Sequence, residues 1–104
     1  MAFMRSLAAG LALGLTACAF VKLEEQGKAV TVAQAAQVAG CTKVAEVSAD
    51  VLYKILFVHR SQSQVARELE TLARNRAGKF DANRIVPTSP IERGSQTFDA
   101  YSCK

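Results

Sequence analysis

Residues 61–80 read SQSQVARELETLARNRAGKF, the most regular stretch in a chain of 104 residues. Val65, Leu69, Leu72, Ala73, Ala77 and Phe80 recur at steps that gather apolar side chains on one stripe of a helix. Ser61 followed three residues later by Gln64 has the form of a capping box and places the start at Gln62. Gly78 stands where a helical C-terminus is expected, so the spacing predicts a helix over residues 62–79. Glu70 and Arg74, four apart, would brace it as an ion pair.

The segments on either side read as strands. The Val-Thr-Val core of Ala29–Val38 and the run Cys41–Ser48 (CTKVAEVS) have the residue types of two strands, separated by a turn at Gly40. Val51–Val58 (VLYKILFV) is a dense apolar run, and its β-branched and aromatic content predicts a third, buried strand. Beyond the helix, Arg84–Val86 begins a fourth strand ended by Pro87 and Pro90, Ser89–Gly94 is turn-like, and Gln96–Cys103 (QTFDAYSC) is the last strand. The order predicts an α+β domain over residues 29–104, with one main helix packed across a small antiparallel or mixed sheet.

The first twenty residues, MAFMRSLAAGLALGLTACAF, follow different rules. One positive charge, Arg5, precedes an apolar segment of signal-peptide length. From Ser6 to Phe20 it has 15 residues, fewer than the roughly 20 a spanning helix needs. It ends in Leu15-Thr16-Ala17-Cys18, which resembles the bacterial lipobox: an aliphatic residue and two small ones before an obligatory Cys. The Cys18 thiol would take up a diacylglyceryl group, and the small residues would open the bond before it to a peptidase. Residues 1–17 are therefore expected to be a signal peptide, and Cys18 with the charged, Gly27-broken stretch to Lys28 a lipidated tether. Lipoproteins held at the inner membrane commonly carry Asp after the Cys; Ala19 implies passage to the outer membrane, facing the periplasm.

Removing 17 of 104 residues leaves 87, with 12 basic and 9 acidic side chains. A domain of that size is marginal without a staple. Cys41 and Cys103 remain as an even pair in an exported chain, so a disulfide between the second and last strands is expected. In the chain-entropy picture, closing a loop of roughly 60 residues contributes about 4 kcal/mol. Two cysteines without CxxC spacing and with a single His make a poor metal site.

The mild positive balance suits a domain beside anionic lipid or polysaccharide as well as an ordinary soluble one. Arg60, Arg67 and Arg74 recur every seven residues, with Arg76 and Lys79 at the helix end. Turned outward, they would form a basic row able to meet lipid phosphates, lipopolysaccharide or an envelope protein. No P-loop, Rossmann or zinc-finger spacing occurs, and nothing points to nucleic acid or a cofactor. His59 reads as a strand-end surface residue, Ser95 lacks the GxSxG context of a nucleophile, and Asn75 and Asn83 read as closing the helix-to-strand turn. A non-enzymatic cell-envelope lipoprotein with a binding or sensing role is the expectation. A soluble secreted domain, or a small periplasmic hydrolase using His59, are the alternatives.

Four segments together resemble the DUF4156 family of small bacterial lipoproteins. They are Gly40-Cys41, the helix run Arg67–Ala77, Asn83-Arg84-Ile85-Val86-Pro87, and Gly94–Cys103. That family is similar in its Cys-strand-helix-strand-Cys layout to the outer-membrane stress-sensing lipoprotein of the Rcs phosphorelay, which has four structural cysteines against two here. Where a Gly-led turn is usual after the helix, this chain has Asp81-Ala82-Asn83. Asp tolerates the left-handed conformation such a turn needs. The resemblance implies a fold and a location, and no reaction.

Overall fold

The computed structural model describes residues 21–55 and 58–104; residues 1–20, and with them the expected signal peptide and Cys18, lie outside the described residues. Helix α1 spans Gln62–Gly78 and buries Val65, Leu69, Ala73 and Ala77 along one stripe, with Leu72 partly buried beside them. It lies across a four-stranded mixed sheet, so the molecule is α+β in two layers. In chain order the strands are β1 (Thr31–Val32), β2 (Thr42–Asp50), β5 (Arg84–Pro87) and β6 (Ser95–Ser102), and across the sheet β1-β5-β6-β2. β1 runs parallel to β5; β5 with β6 and β6 with β2 are antiparallel.

Alternation explains which face meets the helix. Val47 and Ala49 on β2, Ile85 on β5, and Phe98 and Ala100 on β6 are buried beneath α1, while Glu46, Ser48 and Asp50 are exposed. Leu69, Phe98, Ile85 and Val30 are the largest fully buried side chains. Each contributes about 1.5–3 kcal/mol of hydrophobic stabilisation. Ala49, Ala73, Ala77 and Ala100 keep the two layers close.

Several expectations are corrected. The apolar run 51–58 is not one buried strand. It enters a two-stranded hairpin, β3 (Lys54–Ile55) against β4 (Val58–His59), closed by the Arg60 N–H donating to the Tyr53 carbonyl at 2.7 Å. Leu52 is 70% exposed. Among the described residues the sheet faces a single helix layer, with no second layer to cover another apolar strand. Phe80 lies beyond the end of α1 and is 54% exposed. Ser61 is the N-cap residue but makes no capping bond; its hydroxyl pairs with Ser63 at 2.9 Å. Within Ala29–Val38 only Thr31–Val32 forms a strand; Ala35–Val38 is a 3-10 turn held by a Gln34–Gln37 capping box.

The turn from Glu92 to Ser95 is a two-residue hairpin, with mutual backbone bonds of 3.0 and 2.9 Å. Arg93 (φ 50°) and Gly94 (φ 73°) both sit in the left-handed region, as a type I′ turn requires. A side chain at Gly94 would run into the Val51 carbonyl, whose own N–H donates to the Gly94 carbonyl. Asp81 takes φ 61°, so the turn after α1 is made without the usual glycine.

Candidate functional site

The stretch read as a tether is partly built into the domain. Glu25–Gly27 forms a 3-10 turn lying against α1, and Gly27 is buried. Asn75 holds this segment. Its side-chain carbonyl accepts the Glu24 N–H at 2.7 Å, and its amide donates to the Lys22 carbonyl at 2.9 Å. Asn75 is 4% exposed, a buried polar group whose partners both come from more than fifty residues away. The expectation that it closes a local turn is therefore corrected. The only signal in the sequence was an Asn in a helix interior, where its propensity is poor. The described fold therefore includes residues from Lys22 onward, ahead of Ala29.

Asn83 acts across the chain in the same way. Its amide donates to the Cys103 carbonyl at 2.6 Å, and its side-chain carbonyl accepts the Cys103 N–H at 2.8 Å. Cys103 follows β6 and Cys41 precedes β2, one position beyond the Thr42–Ser102 pair. Their Cα atoms are 4.7 Å apart, and they form the expected disulfide, with a sequence separation of 62. The bridge and Asn83 together secure one end of the sheet.

The basic residues do not share one free face. Arg60 forms an ion pair with Glu68, the side chains being 14% and 13% exposed, and donates to the Leu52 carbonyl at 2.7 Å. Arg74 is half-buried and donates through Nε to the Val30 carbonyl at 2.6 Å, instead of pairing with Glu70. Arg76 donates to the Ser48 carbonyl on edge strand β2. Arg67 and Lys79 are exposed. The expected row of Arg67 and Arg74 is thus broken, because the return of the chain through Val30 offers a buried carbonyl that sequence spacing does not reveal.

On the open face of the sheet Glu46 and Asp99 stand directly opposite one another, with Lys43 bonded to both at 2.9 and 3.2 Å. Hydrogen bonds to Glu46 and then Asp99 raise the Lys43 ammonium above its ordinary pKa, and the bond from Lys43 holds the Glu46 carboxyl below the usual carboxylate range.

A cleft of about 350 Å³ opens between the hairpin and the Arg93–Gly94 turn, lined in part by Tyr53, His59, Val65, Ile91 and Arg93. The His59 ring is tilted against Tyr53, centroids 6.1 Å apart. Ser95 donates its hydroxyl to Asp50, and no Ser95–His59 hydrogen bond occurs among the described residues. Among the described residues no cluster of three His, Cys, Asp or Glu suits a metal, and no helix is long and apolar enough to cross a membrane.

The structured unit, from the Asn75-held segment to the disulfide, coincides with the span of a family model. Residues 21–103 match DUF4156, a domain of unknown function. The chain belongs to the DUF4156 family. The DUF4156 match includes Lys22 and Glu24, in agreement with their place in the fold. No curated protein and no solved structure matches this DUF4156 chain.

Proposed function

We propose that this protein is a non-enzymatic lipoprotein of the cell envelope, anchored through acylated Cys18 on the periplasmic face of the outer membrane. Its α+β domain serves there as a binding or sensing module. The observation that carries this reading is Leu15-Thr16-Ala17-Cys18 at the end of a short apolar segment that follows Arg5. The Cys41–Cys103 disulfide supports export, because such bridges persist in oxidising compartments. Two or three acyl chains make the attachment effectively stable, since one chain alone is marginal at about 0.8 kcal/mol per buried CH₂. Ala19 supports the outer-membrane location. The engagement of Ser95 with Asp50 supports a binding role over serine hydrolysis.

Growth with a labelled lipid precursor tests the anchor. The wild-type protein should take up label and sediment with membranes, and Cys18→Ser should do neither. Label in the Cys18→Ser protein, or wild-type protein in a detergent-free soluble fraction, would overturn the reading.

A further inference from the structure

The exposed apolar residues of the hairpin region lie toward the same half of α1 as Val21, the first described residue. Gln26 packs at Gly78, Lys22 and Glu24 bond to Asn75, and Val21 lines one open cleft with Gln64, Arg67 and Thr71. Read towards its N-terminus, the segment therefore runs from the C-terminal end of α1 back along the helix, toward its N-terminal end. That end is joined to the hairpin through Arg60 and Ser61. Near it, Leu52, Tyr53 and Ile91 are exposed at 70%, 37% and 41%. Tyr53 and Ile91 line one cleft, and the Leu52 carbonyl is bonded to Arg60. Lys54 and Arg93 are exposed among them, Arg67 is exposed beside Val21, and Glu92 is the exposed acid of the same turn. Asp50 is taken by Ser95, and Glu68 by Arg60.

We infer that this surface is a second membrane contact, in which Leu52, Tyr53 and Ile91 enter the interface of an anionic bilayer and Lys54, Arg93 and Arg67 meet its headgroups. The inference rests on Cys18 being the lipid anchor. Three steps of chain from Cys18 to Val21 reach about 11 Å at most, so an anchored domain is confined at the bilayer by this end. An apolar cluster with basic neighbours is the composition that lies in a lipid interface. The positive excess matches anionic headgroups.

The chain contains no Trp, so a single introduced Trp reports its own surroundings. The lipidated protein carrying Leu52→Trp is placed in phosphatidylethanolamine vesicles containing phosphatidylglycerol, with and without brominated acyl chains. Thr42→Trp, next to the disulfide at the far end of β2, is the comparison. Brominated lipid should reduce the Leu52→Trp emission by roughly half, as burial of about 5–10 Å implies, and leave Thr42→Trp unchanged. The quenching should weaken in zwitterionic vesicles. Protein that floats with vesicles while Leu52→Trp stays unquenched overturns this contact and leaves the anchor standing. Protein that does not float at all overturns both. A blue shift that grows with protein concentration without quenching assigns the surface to a second copy instead, and equal quenching in zwitterionic vesicles overturns the anionic assignment.

Discussion

Asn75 illustrates how much one polar side chain can organise. Buried in the helix interior, it satisfies two backbone groups of a segment that has no extended pairing of its own. Asn75→Ala would strand the Glu24 N–H and the Lys22 carbonyl, and should lower stability by about 2 kcal/mol in urea unfolding. Protease should then cut near residues 22–28 under conditions in which the parent resists. Lys43 has a different residue-scale role, because it separates two carboxylates that face each other across β2 and β6. The folded-state pKa of Glu46 lies below its unfolded value. Its contribution to stability is therefore present above the unfolded pKa and lost as pH falls through the folded one. The Lys43 ammonium is raised. Its contribution is present below the unfolded value and lost as pH rises through the folded one. Both groups are solvent-facing, so the effect on stability is small. Carboxyl NMR titration should nevertheless show Glu46 ionising at lower pH than a free glutamate, and Lys43→Met should move that titration upward.

At the scale of elements, α1 is determined mainly by its apolar stripe, while its C-terminal end is determined by a neighbour. Gly78 closes the helix against the carbonyl of Gln26, and an added Cβ there would meet that carbonyl well inside contact distance. By helix propensity alone, Gly→Ala is favourable by about 1 kcal/mol. The close approach reverses the sign, since overpacking typically costs about 1–3 kcal/mol. Gly78→Ala should therefore lower the melting temperature. A variant that melts higher would show that the 22–28 segment gives way without loss. The run from Val51 that enters the hairpin of β3 and β4 shows the opposite balance. Its residues are apolar enough for a core strand, yet Leu52 and Tyr53 face outward, because the single helix layer is already covered by β5, β6 and β2.

For the molecule as a whole, the decisive constraint is the joining of β2 to β6 at the disulfide end. A separation of 62 residues is closed by one covalent bond, and Asn83 holds the same end through the backbone of Cys103. Replacing both Cys41 and Cys103 with Ser should reduce stability by about 4 kcal/mol in the chain-entropy model. Denaturant unfolding of the oxidised parent and the double variant measures this. Both thiols of the parent should resist alkylation until a reductant is added.

Local and periodic information was enough for much of this architecture. The step of three and four from Val65 to Ala77 specified α1, residue types marked the segments of β2 and β6 as strands, and an even pair of cysteines specified their bridge. Each depends on residues near in sequence or on a pairing with one solution. The docking of residues 22–28 on Asn75, the capture of Arg74 by Val30 and the exposure of Leu52 depended on which distant backbone groups arrive beside those side chains. Spacing along a chain carries no record of such arrivals. A buried donor must take whatever acceptor the packed layers bring within reach, and an apolar run is buried only where a layer remains to cover it, so these features were decided by the tertiary structure.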